Sequence, residues 1–307
     1  MNRRSFIGSV AAGASALGVA TGASPMPKLS VFTKHLQFLE GDALAEAIAE
    51  IGADGADLSL RKGGHVEPSR VKEDLPPMIR ALEKRKLSLA IATTDIVDAA
   101  SPFAESVVQT LASHGVRYYR WGGFKFDPAQ SVIDQIESLK PRVKKLSELN
   151  EKYNVCAIYH THSGLNQLGA AIWDLHLLLK DFDPRYVAVN YDIGHATVEG
   201  GSGGWIESLN VTGRYLRGVA LKDVVWKKSD NGQWRPQWCP IGEGMVRFDQ
   251  FFATVKRVGF EGPMQVHYEY PLGGAEGGKR QITIPKEQVI AAMKRDVVKL
   301  RDLWKAI

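Results

Sequence analysis

Two histidines one residue apart are the first feature of the sequence that suggests chemistry. His160 and His162 lie in "IYHTHSG", and side chains two positions apart on a strand point to the same face. His267 and Glu269 repeat this spacing near the end of the chain. Imidazoles and carboxylates that meet at one point are typical of divalent-metal sites and of groups that move protons. We therefore expect one of these two functions where the strands end.

Basic and aromatic residues stand at the ends of other apolar runs. Lys34, Arg61 and Lys222 are predicted to place positive charge beside an anionic or enediolate oxygen of a substrate. Trp121 offers a flat apolar face of the kind found in sugar sites. His65 follows Arg61 closely in "RKGGH". We include Lys34, Arg61, His65 and Trp121 among the candidate substrate contacts.

The elements that must position these residues alternate along the chain. From Leu29 onward, eight short apolar runs that predict strands alternate with eight amphipathic stretches that predict helices, the last over 286–305. This pattern predicts an α/β fold, and eight units in about 280 residues fit a (β/α)8 TIM barrel of a single domain, 28–307. An open doubly wound sheet is the alternative, but no glycine-rich phosphate turn follows the first strand.

In a barrel the functional residues gather at the carboxyl ends of the strands. A lone histidine at a strand end usually has only a structural role. Polar groups from four separate strands at the same end are costly to explain by packing, because buried polar groups must be paired. The pattern therefore predicts a functional cluster there. The polar segment 227–244, after the seventh strand, is predicted to be a long loop and a candidate lid.

The composition is that of a globular protein. Of 307 residues, 44% are hydrophobic and 24% are charged, and the net charge is +5 without a long basic run. These features argue against nucleic-acid binding. Of the two cysteines, Cys156 lies in an apolar run and is expected to pack as a small hydrophobe.

The N-terminal residues are predicted to be an export signal rather than part of the fold. Arg3 and Arg4 precede a stretch rich in Gly, Ala and Ser, which is typical of a twin-arginine signal peptide, here over residues 1–27. An uncleaved membrane anchor is the alternative. No other segment approaches ~20 apolar residues, so we expect a periplasmic protein with no stable membrane insertion after processing.

On these motifs the sequence resembles the xylose isomerase-like TIM-barrel superfamily, the sugar phosphate isomerase and epimerase group. The resemblance spans 29–305 and is carried by "LQFLEGDALAEAIAEIGADGADLSLRKGGHVEP", "IYHTHSG", "YDIGHA", "LKDVVW", "IGEGMVRFDQFF" and "GFEGPMQVHYEYP". It implies a carbohydrate substrate and one divalent metal. The oligomeric state stays open, a homo-oligomer included.

The resemblance also implies a ligand set, which this sequence matches unevenly. Asp192 and His195 match a metal ligand and a substrate-contacting residue of the family. His160 and His267 occupy positions where the family usually has glutamate, and Ala220 replaces a ligand histidine. The implied set is His160, Asp192 and His267, with Glu269 or a water, and imidazoles favour Zn, Fe or Co over Mg, with Mn also admitted. His162 would support His160 or contact substrate.

Three activities stay open at this stage. The first is an exported sugar isomerase or epimerase, in which Lys222, Glu269 and His162 are the candidate catalytic groups and a proton next to a carbonyl is removed. The second is a dehydratase or lyase that acts through the same enolate, as "YHTHSG" also resembles the inosose dehydratases. The third is a non-catalytic sugar-binding barrel. Without a metal, Lys222 would fill the vacated space as an acid or base.

Overall fold

Short buried runs of aliphatic residues form the strands, as expected for a parallel sheet that is covered on both faces. In the computed structural model, which describes residues 25–307, eight of these strands close into a parallel barrel. Around the barrel their order is β1, β10, β7, β6, β5, β4, β3 and β2. The ranges are β1 Leu29–Phe32, β2 Gly55–Leu60, β3 Ser88–Thr94, β4 Tyr118–Trp121, β5 Cys156–His160, β6 Val187–Asp192, β7 Leu216–Leu221 and β10 Met264–Val266. The predicted (β/α)8 barrel is confirmed.

Amphipathic helices surround the barrel and bury one face against it. They are α1 Gly41–Ile51, α2 Val71–Glu83, α3 Ala104–Ser113, α4 Val132–Tyr153, α5 Trp173–Leu179, α6 Ile193–Gly200, α7 Gly204–Thr212, α8 Phe248–Arg257 and α9 Lys286–Lys305. In α1, Leu44, Ile48 and Ile51 are fully buried, and the helix ends at Gly52, whose φ of +83° suits glycine. In the part of the chain that the structure describes, no helix combines the length and hydropathy needed to cross a bilayer.

The residues 1–24 lie outside the described part of the chain. The predicted export signal, 1–27, falls there except for its last three residues. It stays a prediction.

The polar segment after β7 is more ordered than the sequence suggested. We predicted a long loop over 227–244, whereas β8 Asp223–Lys228 and β9 Trp234–Cys239 pair as an antiparallel hairpin. Its turn contains Asn231 and Gly232, and Gly232 has a φ of +81°. Both carboxylate oxygens of Asp223 accept backbone N–H groups from beyond the hairpin, those of Gly242, Gly244 and Val246. The hairpin is thereby anchored at the barrel mouth.

Candidate active site

Neighbouring strands bring the predicted residues to one mouth of the barrel. His160 ends β5, Asp192 ends β6, Lys222 follows β7 and His267 follows β10. The pairing of Asp192 with Ala220 fixes the relative heights of β6 and β7. The four side chains are almost fully buried, so each depends on the others for polar contacts.

Lys222 lies at the centre of this group. Its Nζ is 2.7 Å from Nε2 of His195, 3.1 Å from Oε2 of Glu269 and 3.3 Å from Oδ2 of Asp192. It also lies 4.1 Å from the ring centroid of Trp238, on β9. Two carboxylates and an aromatic face stabilise a buried ammonium ion, so the ammonium group of Lys222 is held in one position.

Asp192 is both the cap of α6 and a partner of this charge. Its Oδ1 accepts the N–H of His195 at 2.9 Å, which caps the helix N-terminus. Its Oδ2 lies 3.3 Å from Nζ of Lys222 and 3.4 Å from Nε2 of His160. Neither contact has hydrogen-bond geometry, so this buried oxygen has no hydrogen-bond donor in the described structure.

His195 is held in one orientation from both sides. Its Nδ1 is 2.7 Å from Oγ of Ser163, and its Nε2 faces Lys222. Burial and the Lys222 charge lower the pKa of His195 well below the usual range, so the imidazole is neutral. Since Lys222 can only donate to Nε2, the ring proton is on Nδ1 and is directed to Ser163.

Glu269 is the less buried partner of Lys222. Its side chain is 25% exposed, so it can reach a substrate in the mouth. Burial on its own raises the pKa of a carboxyl group, but the charges of Lys222 and Lys34 outweigh it and hold the pKa of Glu269 below its usual range. Glu269 is therefore ionised.

A buried amide chain fixes the tautomer of His160. Gln265 donates from Nε2 to the carbonyl of Pro263 and accepts from Nδ2 of Asn190 at 2.7 Å. The same Nδ2 lies 3.0 Å from Nδ1 of His160, which must therefore be the acceptor. The proton of neutral His160 is then on Nε2 and faces Asp192.

A family model described as xylose isomerase-like TIM barrel matches residues 45–291. The chain belongs to this family. Among curated proteins, an uncharacterized protein of Methanocaldococcus jannaschii is 24% identical over 127 residues, which is 39% of this chain and 41% of that protein. The chain thus aligns with less than half of that relative.

Solved structures of the xylose isomerase-like fold superimpose on nearly the whole chain. The IolI protein with a bound zinc atom has a TM-score of 0.69 at 15% identity, over 90% of this chain and 98% of that chain. The 3-keto-D-glucoside 4-epimerase of E. coli has a TM-score of 0.62 at 14% identity, over 90% and 100%. AsbF of Bacillus anthracis, a probable 3-DHS dehydratase, has a TM-score of 0.64 at 16% identity, over 87% and 97%. At these identities the likeness shows the fold alone.

The metal that the xylose isomerase-like family implies fits the residues present. His160, Asp192 and His267 offer ligand atoms that lie within 4.8 Å of one another. Nε2 of His267 and Oδ2 of Asp192 are buried without a hydrogen-bond partner, and a divalent cation would satisfy both. Two features weaken the fit. Ala220 supplies no ligand, and Nε2 of His160 carries its proton in the observed network.

Arg120 and Asp57 face the barrel interior but were not among the predicted site residues. The hydroxyl of Tyr119 donates to Asn150 on α4, so the next side chain along β4 points into the barrel. There Nη2 of Arg120 lies 3.3 Å from Nε2 of His162, and burial together with the Arg120 charge lowers the pKa of His162 to about 4. Asp57, on β2, accepts a hydrogen bond from Thr93, and burial raises its pKa to about 7.

Lys34 and Arg61 border the same mouth. The guanidinium carbon of Arg61 lies 5.5 Å from the ring centroid of Phe32, and that ring lies 4.8 Å from His267. Burial lowers the pKa of Lys34, the charge of Glu269 opposes this effect, and the charge of Arg61 adds to it. Lys34 is thus within electrostatic reach of both Glu269 and Arg61.

The structure does not bring Trp121 or His65 to this cluster. Trp121 is 1% exposed and packs edge-on against Phe124 and Tyr159, because its position on β4 faces the helices. His65 faces the backbone carbonyls of Leu36 and Leu39 through Nε2. The aromatic face at the site belongs instead to Trp238, whose ring lies 4.9 Å from His195.

Proposed function

We propose that the protein is a sugar isomerase or epimerase that moves a proton between carbons next to a carbonyl group. The observation that supports this most directly is the position of Lys222 between an ionised carboxylate, Glu269, and a neutral imidazole, His195. A base beside a fixed cation is what enolisation of a hydroxy-carbonyl compound needs.

In the proposed reaction, Glu269 removes the proton from the carbon next to the carbonyl and becomes a carboxylic acid. The electron pair of that C–H bond forms the enediolate, and the Lys222 ammonium stabilises its oxygen. In an isomerase, Glu269 then donates a proton to the former carbonyl carbon while the proton of the neighbouring hydroxyl group passes to the former carbonyl oxygen. In an epimerase, Glu269 keeps its proton and a second acid donates another proton to the opposite face of the same carbon. Trp238 excludes water from one side of the site.

A divalent metal (Mn, Zn, Co or Fe) bound by His160, Asp192 and His267 would supply Lewis-acid polarisation of a substrate oxygen. The likeness to the zinc-containing IolI structure supports this part of the proposal at the level of fold. The softer imidazole ligands favour transition metals over Mg.

Product analysis tests the proposed activity. The protein is incubated with uncharged ketoses, keto-sugars and their acid and phosphate forms, and the sugars are separated by chromatography. We expect an isomer or epimer of one of them, loss of that product in Glu269→Gln, and full activity in Glu287→Gln, which changes an exposed residue of α9. Tight sugar binding without any product would indicate a non-catalytic barrel instead.

A dehydratase is the second candidate, supported by the hydrogen-bonded line from Lys222 through His195 to Ser163. This line offers a proton donor for a hydroxyl group that leaves from the carbon beside the enediolate. The likeness to AsbF is consistent with it at the level of fold. A new ultraviolet absorbance from an unsaturated ketone, with no isomer formed, would favour the dehydratase.

We also propose export through the twin-arginine route to the periplasm. Residues 1–27 support this by their sequence alone. Replacement of both Arg3 and Arg4 by lysine is expected to retain the protein in the cytoplasmic fraction, whereas Lys28→Arg is not. Equal periplasmic yield of both variants would contradict the proposed route.

A further inference from the structure

Three cations of the mouth lack an acidic partner. Lys34 follows β1, Arg61 follows β2, and Arg120 lies near the end of β4. All three side chains are only partly exposed. Among the described residues, no carboxylate oxygen lies within 4 Å of the charged nitrogens of these three side chains. Several arginines on the protein surface, in contrast, do have a carboxylate partner. Positive charge is thus concentrated here without a carboxylate at ion-pair distance.

Arg120, on β4, is a cation with several hydrogen-bond donors to satisfy. A guanidinium group has five N–H donors and no acceptor, yet the contact found for Arg120 is with a single ring nitrogen of His162. An imidazole ring carries no negative charge, so this contact does not offset the charge of Arg120. Most donors of Arg120 are therefore available in a pocket whose walls are buried side chains.

The acidic side chains near these cations already have other partners. Lys222 takes both Asp192 and Glu269 as partners, and Asp57 accepts a hydrogen bond from Thr93 and lies 3.9 Å from Nε2 of His267. Burial lowers the pKa of Lys34 most, and repulsion from Arg61, Lys222 and Arg120 adds to this effect against the attraction of Glu269. Partly buried charges of the same sign destabilise a site unless a ligand of opposite sign binds there.

We propose that the substrate is an anionic sugar derivative whose carboxylate or phosphate group binds to Arg120, with Arg61 and Lys34 completing the anion site. This inference rests on the proposed function, because it names the class of substrate on which that reaction acts. A guanidinium group pairs with either anion through two parallel N–H donors. The ionised end of the substrate then lies toward β1, β2 and β4, and the carbonyl end lies at Lys222 and Glu269.

Binding of three matched ligands tests the inference. D-Fructose, D-fructuronate and D-fructose 6-phosphate differ at one end, where the group is a hydroxyl, a carboxylate or a phosphate. Titration calorimetry gives their affinities for the wild-type protein and for Arg120→Met, Arg120→Lys, Arg61→Met and Arg247→Met. Arg247 is an exposed arginine outside the site, paired with Asp249, and serves as the matched control.

We expect at least one anionic ligand to bind about tenfold or more tightly than D-fructose, because charge-assisted hydrogen bonds are the stronger ones. Arg120→Met and Arg61→Met should remove most of this difference, because each lacks a cation that pairs with the anionic group. Arg120→Lys should retain part of it, and Arg247→Met all of it. The anionic ligand that binds more tightly shows whether the substrate carries a carboxylate or a phosphate group.

Equal affinity for all three ligands would overturn the inference, as would an anion preference that survives both Arg120→Met and Arg61→Met. Thermal unfolding checks that each variant is folded, and Arg61→Met, in a loop, covers the case in which Arg120→Met is not. Different results would contradict the proposed function and this inference. Product from an uncharged ketose without anion preference overturns only this inference, whereas anion preference without any product overturns only the proposed reaction.

Discussion

Replacement of Lys222 by methionine should damage stability and activity together. The Lys222 side chain is 2% exposed, and its Nζ lies 3.1 Å from Oε2 of Glu269 and 3.3 Å from Oδ2 of Asp192. Methionine keeps the apolar contact with Trp238 but leaves two carboxylates without their cation. Breaking a buried ion pair from one side costs about 3–5 kcal/mol, so we expect the free energy of unfolding to fall by that amount.

Lys152→Met is the matched control for this comparison. Lys152 also has a carboxylate partner, Glu105 at 2.7 Å, and an aromatic ring, Tyr153 at 4.9 Å, but its side chain is 60% exposed. Solvent screens an exposed ion pair, so the loss of stability in Lys152→Met should be small.

Urea unfolding at pH 7 measures both variants, and turnover of the identified substrate is measured beside it. Loss of the charge that stabilises the enediolate should lower kcat of Lys222→Met by about 10²–10³. Glu269→Gln added to Lys222→Met should recover part of the lost stability, because it removes one unpaired carboxylate. Losses of equal size in the Lys222 and Lys152 variants, or no recovery in the double variant, would refute the reasoning.

Three further outcomes follow from the structure. His160→Ala should lose transition-metal binding in elemental analysis, whereas His114→Ala, an exposed histidine at the end of α3, should retain it; equal metal content would contradict the ligand assignment. A Cβ at Gly194 would lie 2.6 Å from Cγ of Lys222, so Gly194→Ala should displace Lys222, lower kcat and cost about 1–3 kcal/mol; unchanged kcat and stability would show that the lysine position is not constrained there. Burial raises the pKa of Asp296 to about 6 from a model-peptide value of 3.8, against the hydrogen bond from Tyr270. The folded protein therefore holds this proton to higher pH than the unfolded chain, and its contribution to stability falls as the pH rises from about 4 to about 6, by roughly 2–3 kcal/mol. Asp296→Asn should lack that fall in urea unfolding at several pH values, and an identical pH dependence would show that Asp296 does not titrate as described.

The barrel could be predicted because its signal is repeated. Eight alternations of strand and helix patterns leave few architectures, and the last helix is found over the predicted residues, Lys286–Lys305. The convergence of His160, Asp192, Lys222 and His267 then follows from topology, since parallel strands end at the same mouth.

The sequence did not predict the site residues correctly where the direction of a side chain decides whether it reaches the site. Arg120 and Trp121 are adjacent in the sequence, and only the register of β4 determines which one faces the barrel interior. Trp238 contacts Lys222 from the β8–β9 hairpin. The pairing of this hairpin depends on its turn, and the sequence has no periodic pattern that predicts it. His65 is a histidine like those of the site, but its ring contacts backbone carbonyl groups, and no sequence motif predicts such contacts.

Hydrogen exchange at carbon tests the central claim most directly. The identified substrate is incubated in D2O, and proton NMR follows the signal of the C–H group next to the carbonyl. The Glu269 carboxylic acid is expected to exchange its proton with solvent before it donates a proton back, so the product of the wild-type protein should contain deuterium at carbon. Glu269→Gln and Lys222→Met should form labelled product at least about 100-fold more slowly. Product that forms without any solvent deuterium in Glu269→Gln, at the wild-type rate, would contradict proton transfer by Glu269 beside the Lys222 charge.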